Sequence, residues 1–176
     1  MPTEYLRRLV RDVPDFPKPG IVFKDITPLL ADGEALRRAV RAMADPFRGG
    51  VDLVLGIESR GFILGSAVAV ELGVGLAIVR KPGKLPAETH AARYELEYGT
   101  DALEIHRDAI PEGHRVLLVD DLLATGGTAA AGTRLVGDLG GRVVAASFLI
   151  ELAFLPGRSQ LAPVPVHSLL RYEDEG

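Results

Sequence analysis

The sequence of 176 residues contains no cysteine, no tryptophan and no asparagine. Without thiols the chain can form no disulfide, no iron–sulfur cluster and no cysteine-type zinc site, and it carries no thiolate nucleophile. Its four histidines are scattered along the chain and lack the spacing of metal ligands. The composition therefore predicts no structural metal site built from protein ligands alone.

The sequence also lacks a long apolar run and an excess of basic residues. No apolar stretch reaches the roughly 18 residues that span a bilayer. The first residues, MPTEYLRRLV, do not contain the apolar stretch of a signal peptide, which predicts a cytoplasmic protein without membrane contact. The chain has 20 Lys+Arg against 24 Asp+Glu, a net charge of −4, so nucleic acid is not an expected partner.

Short apolar segments alternate with helical patterns from residue 51 onward, which predicts a parallel sheet covered by helices on both faces. The length favours one domain over residues 1–176. Earlier in the chain, the spacing of apolar residues predicts a helix over 3–12, and Asp32 or Gly33 can cap a second helix. The strands are predicted at residues 51–56, 74–80, 116–119 and 143–150.

Residues 81–101 are polar and too long for an ordinary connection between a strand and a helix. Lys81 and Lys84 at one end and Arg93 further on give the segment positive charge, which suits a lid over an anionic ligand. A solvated β-hairpin without a function is the alternative that the pattern leaves open.

A glycine-rich turn follows the strand in Val116–Thr128, VLLVDDLLATGGT. Gly126 and Gly127 allow a tight turn and present backbone N–H groups, and the helix that follows adds its unpaired donors. Thr125 and Thr128 can donate hydroxyl hydrogen bonds to the same ligand. These features predict a site for a phosphate monoester.

Two acidic residues, Asp120 and Asp121, stand at the end of the same strand, where ligands bind in parallel sheets. The turn contains neither Gly-Lys-Ser/Thr nor Gly-x-Gly-x-x-Gly, which argues against nucleoside triphosphates and dinucleotides. Carboxylates beside a phosphate site can accept hydrogen bonds from vicinal ribose hydroxyls, so the motif indicates a sugar phosphate.

The segment VLLVDDLLATGG resembles the signature with which type I phosphoribosyltransferases bind 5-phosphoribosyl diphosphate (PRPP). The similarity extends from Tyr5 to Tyr172 and is carried by FPKPGIVFKDITPLL, GIESRGFILG, RKPGKLP, YELEYGTDALEIH and the ELAFLPGR region. It implies the α/β fold of that family, with a base-binding hood at about 1–33 and a lid at about 81–101. It further implies purine salvage: adenine and PRPP give AMP and diphosphate in a Mg²⁺-dependent homodimer.

The resemblance assigns the PRPP site residue by residue. Asp120 and Asp121 would bind the ribose hydroxyls directly or through Mg²⁺, which PRPP itself mainly holds. The loop of Glu58 and its neighbours would hold the diphosphate, with a non-proline cis peptide exposing N–H groups. The 5-phosphate would contact Ala124, Thr125, Gly126, Gly127 and Thr128, and the diphosphate would contact Glu58, Ser59, Arg60, Gly61, Arg80, Lys81 and Lys84.

The adenine site implied by the resemblance comes from the N-terminal loop. Val22 and Lys24 would contact the base through their backbone groups, Phe23 would stack on it, and Leu152 would close the other side; ordinary core packing is the alternative for Phe23 and Leu152. Many family members have arginine where this chain has Lys24. A backbone contact survives that change, whereas a guanidinium contact would not.

Two residues are predicted by resemblance to be catalytic, Glu97 and Arg60. Glu97, in YELEYG, would manage a proton on a purine ring nitrogen when the lid closes. A solvated loop glutamate is the alternative.

Two other functions stay open at this point. A relative that uses hypoxanthine, guanine or xanthine would share the PRPP motif, and a PRPP-sensing transcriptional regulator would share the fold. The acidic net charge of −4 argues against the regulator.

Overall fold

A five-stranded sheet organises the computed structural model, which describes residues 2–96 and 99–174. Within those residues no helix is long and apolar enough to cross a membrane. In chain order the elements are α1 (Pro2–Arg7), β1 (Arg11–Val13), β2 (Phe23–Asp25), α2 (Thr27–Ala31), α3 (Gly33–Ala44), a 3₁₀ turn (Asp45–Phe47), β3 (Leu53–Ile57), α4 (Arg60–Leu72), β4 (Gly75–Val79), β5 (Thr89–Leu96), β6 (Gly99–His106), β7 (Arg115–Leu123), α5 (Gly127–Asp138), β8 (Arg142–Leu152), α6 (Gly157–Gln160) and β9 (Val166–Tyr172).

The strands of the sheet run in the order β4–β3–β7–β8–β9, and every neighbouring pair is parallel. The predicted parallel sheet is therefore confirmed, and its four predicted strands correspond to β3, β4, β7 and β8. The sequence did not predict β9. This strand lies at the edge of the sheet and is mostly half-buried, so its VHSLLRY sequence lacks the apolar run of the inner strands.

Helices and a hairpin cover the two faces of the sheet. Successive residues of a strand point to opposite faces. Val54 and Leu117 accordingly pack with α3 and α4, while Leu55 and Leu118 pack with α5 and with β5 and β6. All four side chains are fully buried. Burial of one such side chain contributes about 1.5–3 kcal/mol, so the sheet is held from both sides.

The N-terminal helix is shorter than the predicted span of 3–12, because α1 ends at Arg7. Residues 11–13 instead form β1, which pairs antiparallel with β2. Pro14 follows β1 directly, and a residue that precedes proline is disfavoured in the helical conformation. The predicted cap of the next helix is confirmed: the Asp32 side chain accepts hydrogen bonds from the N–H groups of Glu34 and Ala35 at 3.0 and 2.9 Å.

The long polar segment contains two strands, since β5 and β6 form an antiparallel hairpin. Ala92, Leu103 and Ile105 of this hairpin are buried in the core beside α5. The base of the predicted lid is therefore part of the packed structure. Glu97 and Tyr98 lie outside the described residues.

Candidate active site

A cavity of about 350 Å³ opens at the carboxyl ends of β3 and β7. Residues 58–60 enter it from the end of β3, and residues 120–126, 128 and 129 enter it from β7 and the start of α5. The predicted PRPP residues that line it are Glu58, Ser59, Arg60, Asp120, Asp121, Ala124, Thr125, Gly126 and Thr128. Gly61 lies one residue further, in the first turn of α4, and Gly127 begins α5.

The phosphate loop, residues 124–128, joins β7 to α5. Gly126 has a φ of 88°, a left-handed conformation that favours glycine. A Cβ atom at this position would also lie 2.7 Å from the carbonyl oxygen of Gly157, so the loop has no room for a side chain. The first N–H groups of α5 have no acceptor within the helix and are available to an anion.

The acidic pair is tied to Arg60 at the start of α4. The Arg60 guanidinium forms an ion pair with the carboxylate of Asp121, which is 5% exposed. Burial, and then the neighbouring charge of Asp121, raise the pKa of Asp120. The pair therefore consists of one carboxylate held by a cation and one that protonates more readily than an exposed aspartate.

The basic residues predicted for the diphosphate gather around Glu58. The Glu58 carboxylate accepts hydrogen bonds from the Arg80 guanidinium at 3.0 Å, the Lys81 N–H at 2.8 Å and the Lys84 ammonium at 2.9 Å. Burial by itself would raise the pKa of Glu58, but these hydrogen bonds lower it to about 2. Glu58 is therefore ionised at neutral pH, and the Glu58–Ser59 peptide is cis, as the resemblance implied.

Lys81 also contacts the base of the lid hairpin. Its ammonium lies 3.2 Å from the Tyr94 hydroxyl and pairs with Asp101. The Tyr94 hydroxyl in turn lies 3.5 Å from the hydroxyl oxygen of Thr128. The hairpin thus contacts both Lys81, one of the basic residues predicted for the diphosphate, and the phosphate loop.

A second cavity, of about 390 Å³, adjoins the first. The two cavities share Leu122, Ala124 and Thr125 as wall residues. The remaining wall of the second cavity is mainly apolar: Gly20, Ile21, Val22, Phe23, Lys24, Leu152, Phe154 and Leu155. All four residues predicted for adenine, Val22, Phe23, Lys24 and Leu152, are therefore brought together here.

Lys24 lines this cavity while its ammonium is bound elsewhere. The side chain is 3% exposed, and its ammonium lies 2.8 Å from an Asp12 carboxylate oxygen and 4.5 Å from the centre of the Tyr172 ring. Neither Asp12 nor Tyr172 belongs to the cavity wall. This arrangement fits a backbone contact to a ligand, with the side chain anchoring β2.

The Phe23 ring lies between the residues predicted to bind PRPP and the other residues predicted to bind adenine. The Phe16 ring packs edge-on against it at 5.2 Å between centroids, and the Arg60 guanidinium carbon lies 5.0 Å from its centre. Arg60 therefore contacts both the acidic pair and an aromatic wall of the second cavity.

Four residues near the site were not predicted from the sequence: Leu122, Phe154, Leu155 and Gly157. Three of them line the second cavity, and Gly157 contacts the phosphate loop. Phe154, Leu155 and Gly157 belong to the ELAFLPGR region that carried the resemblance, and this region was the available signal. The apolar residues of this region could equally have been predicted to pack in the core.

The comparisons with known proteins agree with this geometry. The family model of the phosphoribosyl transferase domain matches residues 26–160 of this chain. The adenine phosphoribosyltransferase of Geobacter metallireducens is 56% identical over 168 residues, which are 95% of this chain and 98% of that protein.

Two solved structures are also similar. The crystal structure of adenine phosphoribosyltransferase from Thermoanaerobacter pseudethanolicus has a TM-score of 0.94 at 52% identity and covers 97% of this chain and 99% of that one. That of Saccharomyces cerevisiae, complexed with D-2,5-dideoxy-2,5-imino-altritol 1,6-bisphosphate and adenine, has a TM-score of 0.91 at 41% identity, covering 96% and 98%.

The fold and the site thus define a type I phosphoribosyltransferase. More narrowly, the chain belongs to the adenine phosphoribosyltransferase family.

Replacing Lys24 tests whether its side chain anchors the wall of the second cavity. We expect Lys24→Met to raise the KM for the purine roughly three- to tenfold, because the ion pair and the ring contact that hold β2 are lost. Lys24→Arg should restore most of this loss. Asp12 is half exposed and tolerates losing its partner, so the variant should fold. Steady-state kinetics with each substrate varied is the measurement; an equal rise in the KM for PRPP would contradict the assignment.

Proposed function

We propose that this protein transfers the 5-phosphoribosyl group of PRPP to adenine, giving AMP and diphosphate, in purine salvage. One observation carries the proposal: the polar cavity with the phosphate loop and the apolar cavity share a wall. A nucleotide has the same two parts, a charged sugar phosphate and a flat apolar base. Binding sites for small molecules enclose about 300–1,000 Å³, which matches the two cavities.

The phosphate loop would hold the 5-phosphate of PRPP. Ala124, Gly126 and Gly127 offer backbone N–H groups, and Thr125 and Thr128 add hydroxyls. Asp120 and Asp121 would accept hydrogen bonds from the ribose hydroxyls. The negative charge of the Asp121 carboxylate would also stabilise the positive charge that develops at C1 as the diphosphate leaves.

The diphosphate would lie between the loop of residues 58–61 and the cations Arg80, Lys81 and Lys84. Because Glu58 is an anion, its carboxylate would not contact the diphosphate. It would instead hold the guanidinium of Arg80 and the ammonium of Lys84 in place, while the backbone of Ser59, Arg60 and Gly61 offers N–H groups. Arg60 would then act beside the reacting carbon, where it contacts Asp121.

The donor set fits Mg²⁺ that arrives with PRPP. Magnesium binds through one or two carboxylates together with substrate phosphates. Asp120 and Asp121 supply two carboxylates at the polar cavity. No cluster of three or more acidic, histidine or cysteine ligands occurs among residues 2–96 and 99–174. A bound Mg²⁺ would offset the negative charge of the leaving diphosphate.

Adenine would occupy the apolar cavity, with Phe23 stacked on one face and Leu152 on the other. The backbone groups of Val22 and Lys24 would recognise the base, since adenine presents an amino donor beside a ring acceptor. Closure of the lid would exclude water, which otherwise hydrolyses PRPP. Positioning and electrostatic stabilisation would supply most of the catalysis.

We extend the proposal to a homodimer. Ile63 and Val70, on one side of α4, are 48% and 82% exposed, and Leu76 of the edge strand β4 is 37% exposed. Exposed apolar side chains on neighbouring elements suit a contact with a second copy. Light scattering should give about twice the 18.8 kDa of one chain. The cytoplasmic location and the single domain stay predictions of the sequence.

The proposed reaction is tested with PRPP, Mg²⁺ and one purine at a time. We expect AMP from adenine and little or no product from hypoxanthine, guanine or xanthine, because the backbone groups at Val22 and Lys24 complement adenine. Omission of Mg²⁺ should abolish turnover. Faster turnover of another purine would contradict the base assignment and leave the PRPP site intact. Binding of PRPP without turnover of any purine would favour the regulator.

The role of Glu97 is tested by Glu97→Ala. Loss of a general acid or base lowers kcat by about 10²- to 10⁴-fold, and the KM for PRPP should change little. Glu88→Ala is the matched control, because Glu88 is an exposed glutamate of the same segment. An unchanged kcat in Glu97→Ala would remove the catalytic role.

A further inference from the structure

An ion pair between buried Glu151 and Arg158, whose side chain is 44% exposed, closes the turn that follows β8. Glu151 is 2% exposed, and its two carboxylate oxygens accept hydrogen bonds from the Arg158 guanidinium at 2.9 and 2.6 Å. Arg158 also donates to the carbonyl oxygen of Val166 at 2.9 Å, and the Ser168 hydroxyl donates to Glu151.

The turn between the two charged residues reaches both cavities. Leu152, Phe154 and Leu155 line the apolar cavity. At the other end of the turn, Gly157 packs against the phosphate loop so closely that a Cβ atom on it would lie 2.2 Å from the carbonyl oxygen of Ala124. The same contact leaves no room for a side chain on Gly126. One short segment therefore supports the base wall on one side and the phosphate loop on the other.

Few other hydrogen bonds fix the turn to the sheet. The N–H of Ala153 donates to the carbonyl oxygen of Tyr172 at 2.8 Å, and the N–H of Leu155 donates within the turn to Leu152 at 3.0 Å. The helix α6 that follows has only four residues. The two-pronged contact from Arg158 to Glu151 joins the two ends of the turn, and a planar guanidinium fixes both position and orientation.

We propose that Glu151 and Arg158 are positioning residues that set the adenine wall and the phosphate loop together. The inference rests on the proposed function. Neither side chain lines either of the two cavities described above, so both act through the turn and do not touch the substrate. Because the Arg158 side chain is 44% exposed, the pair adds little net stability, and its main effect here is on geometry.

The test is Arg158→Lys, which keeps the charge of the pair but loses the planar two-pronged contact. A shift of about 1 Å near a reacting centre can cost up to about 100-fold, and we expect both KM values, for adenine and for PRPP, to rise about tenfold with a smaller change in kcat. Glu151→Gln should show the same pattern. If Arg158→Lys does not fold, Ser168→Ala removes one hydrogen bond to Glu151 and should raise both KM values to a smaller extent.

The matched control is Arg115→Lys. Arg115 makes an equivalent two-pronged contact with Asp52, at 2.9 and 2.7 Å, at the opposite end of the sheet. Arg115→Lys should leave both KM values unchanged, even if its melting temperature falls as much as that of Arg158→Lys. Unchanged KM values in Arg158→Lys, a rise in only one of them, or equal rises in Arg115→Lys would overturn the inference.

The wild-type protein separates this inference from the proposed function. If the wild type forms no AMP from adenine, the proposed function is wrong. The pair is then judged by calorimetric titration with AMP: weaker binding by Arg158→Lys than by Arg115→Lys supports it, and equal binding contradicts it.

Discussion

The site depends on a close backbone contact between two loops, at Gly126 and Gly157. A Cβ atom on either residue would lie within 2.7 Å of a backbone oxygen of the other loop. Through this contact the turn after β8 supports the loop after β7, and the two cavities come to share a wall. The parallel sheet makes the contact available, because it brings the carboxyl ends of both strands to one edge. Both cavities therefore depend on how these loops pack.

Charge is arranged around the polar cavity in pairs. Arg60 is bound to Asp121, and Arg80 and Lys84 are bound to Glu58. These contacts hold cations and anions in defined positions within the protein, so little reorganisation is needed when an anionic substrate binds. They also explain why a glutamate stands among residues assigned to a diphosphate: its carboxylate orders the cations.

The part of the site that could be predicted from the sequence is formed by residues close together in the chain. The apolar strand, Asp120 and Asp121, and the glycine turn follow one another along the chain, so their meeting at a strand end could be inferred from pattern alone. The N-terminal helix was predicted too long, because its apolar spacing continues to Leu9 and Val10, beyond the end of α1 at Arg7. The edge strand β9 has no strong pattern.

Contacts between distant segments could not be predicted. The sequence does not show that the Lys24 ammonium binds Asp12 beside the Tyr172 ring, or that Glu151 binds Arg158 beneath the base wall. These contacts depend on how the hood, the sheet and the last turn pack. The resemblance supplied Val22, Phe23, Lys24 and Leu152 as a group, although no local pattern connects residues 22–24 with residue 152.

The proposed function requires that the two cavities are two halves of one nucleotide site. Calorimetric titration of AMP, alone and with saturating adenine or ribose 5-phosphate, tests it most directly. One AMP should bind per chain, either competitor should weaken its binding, and the two competitors should bind together. AMP binding that is unaffected by saturating adenine would contradict the account.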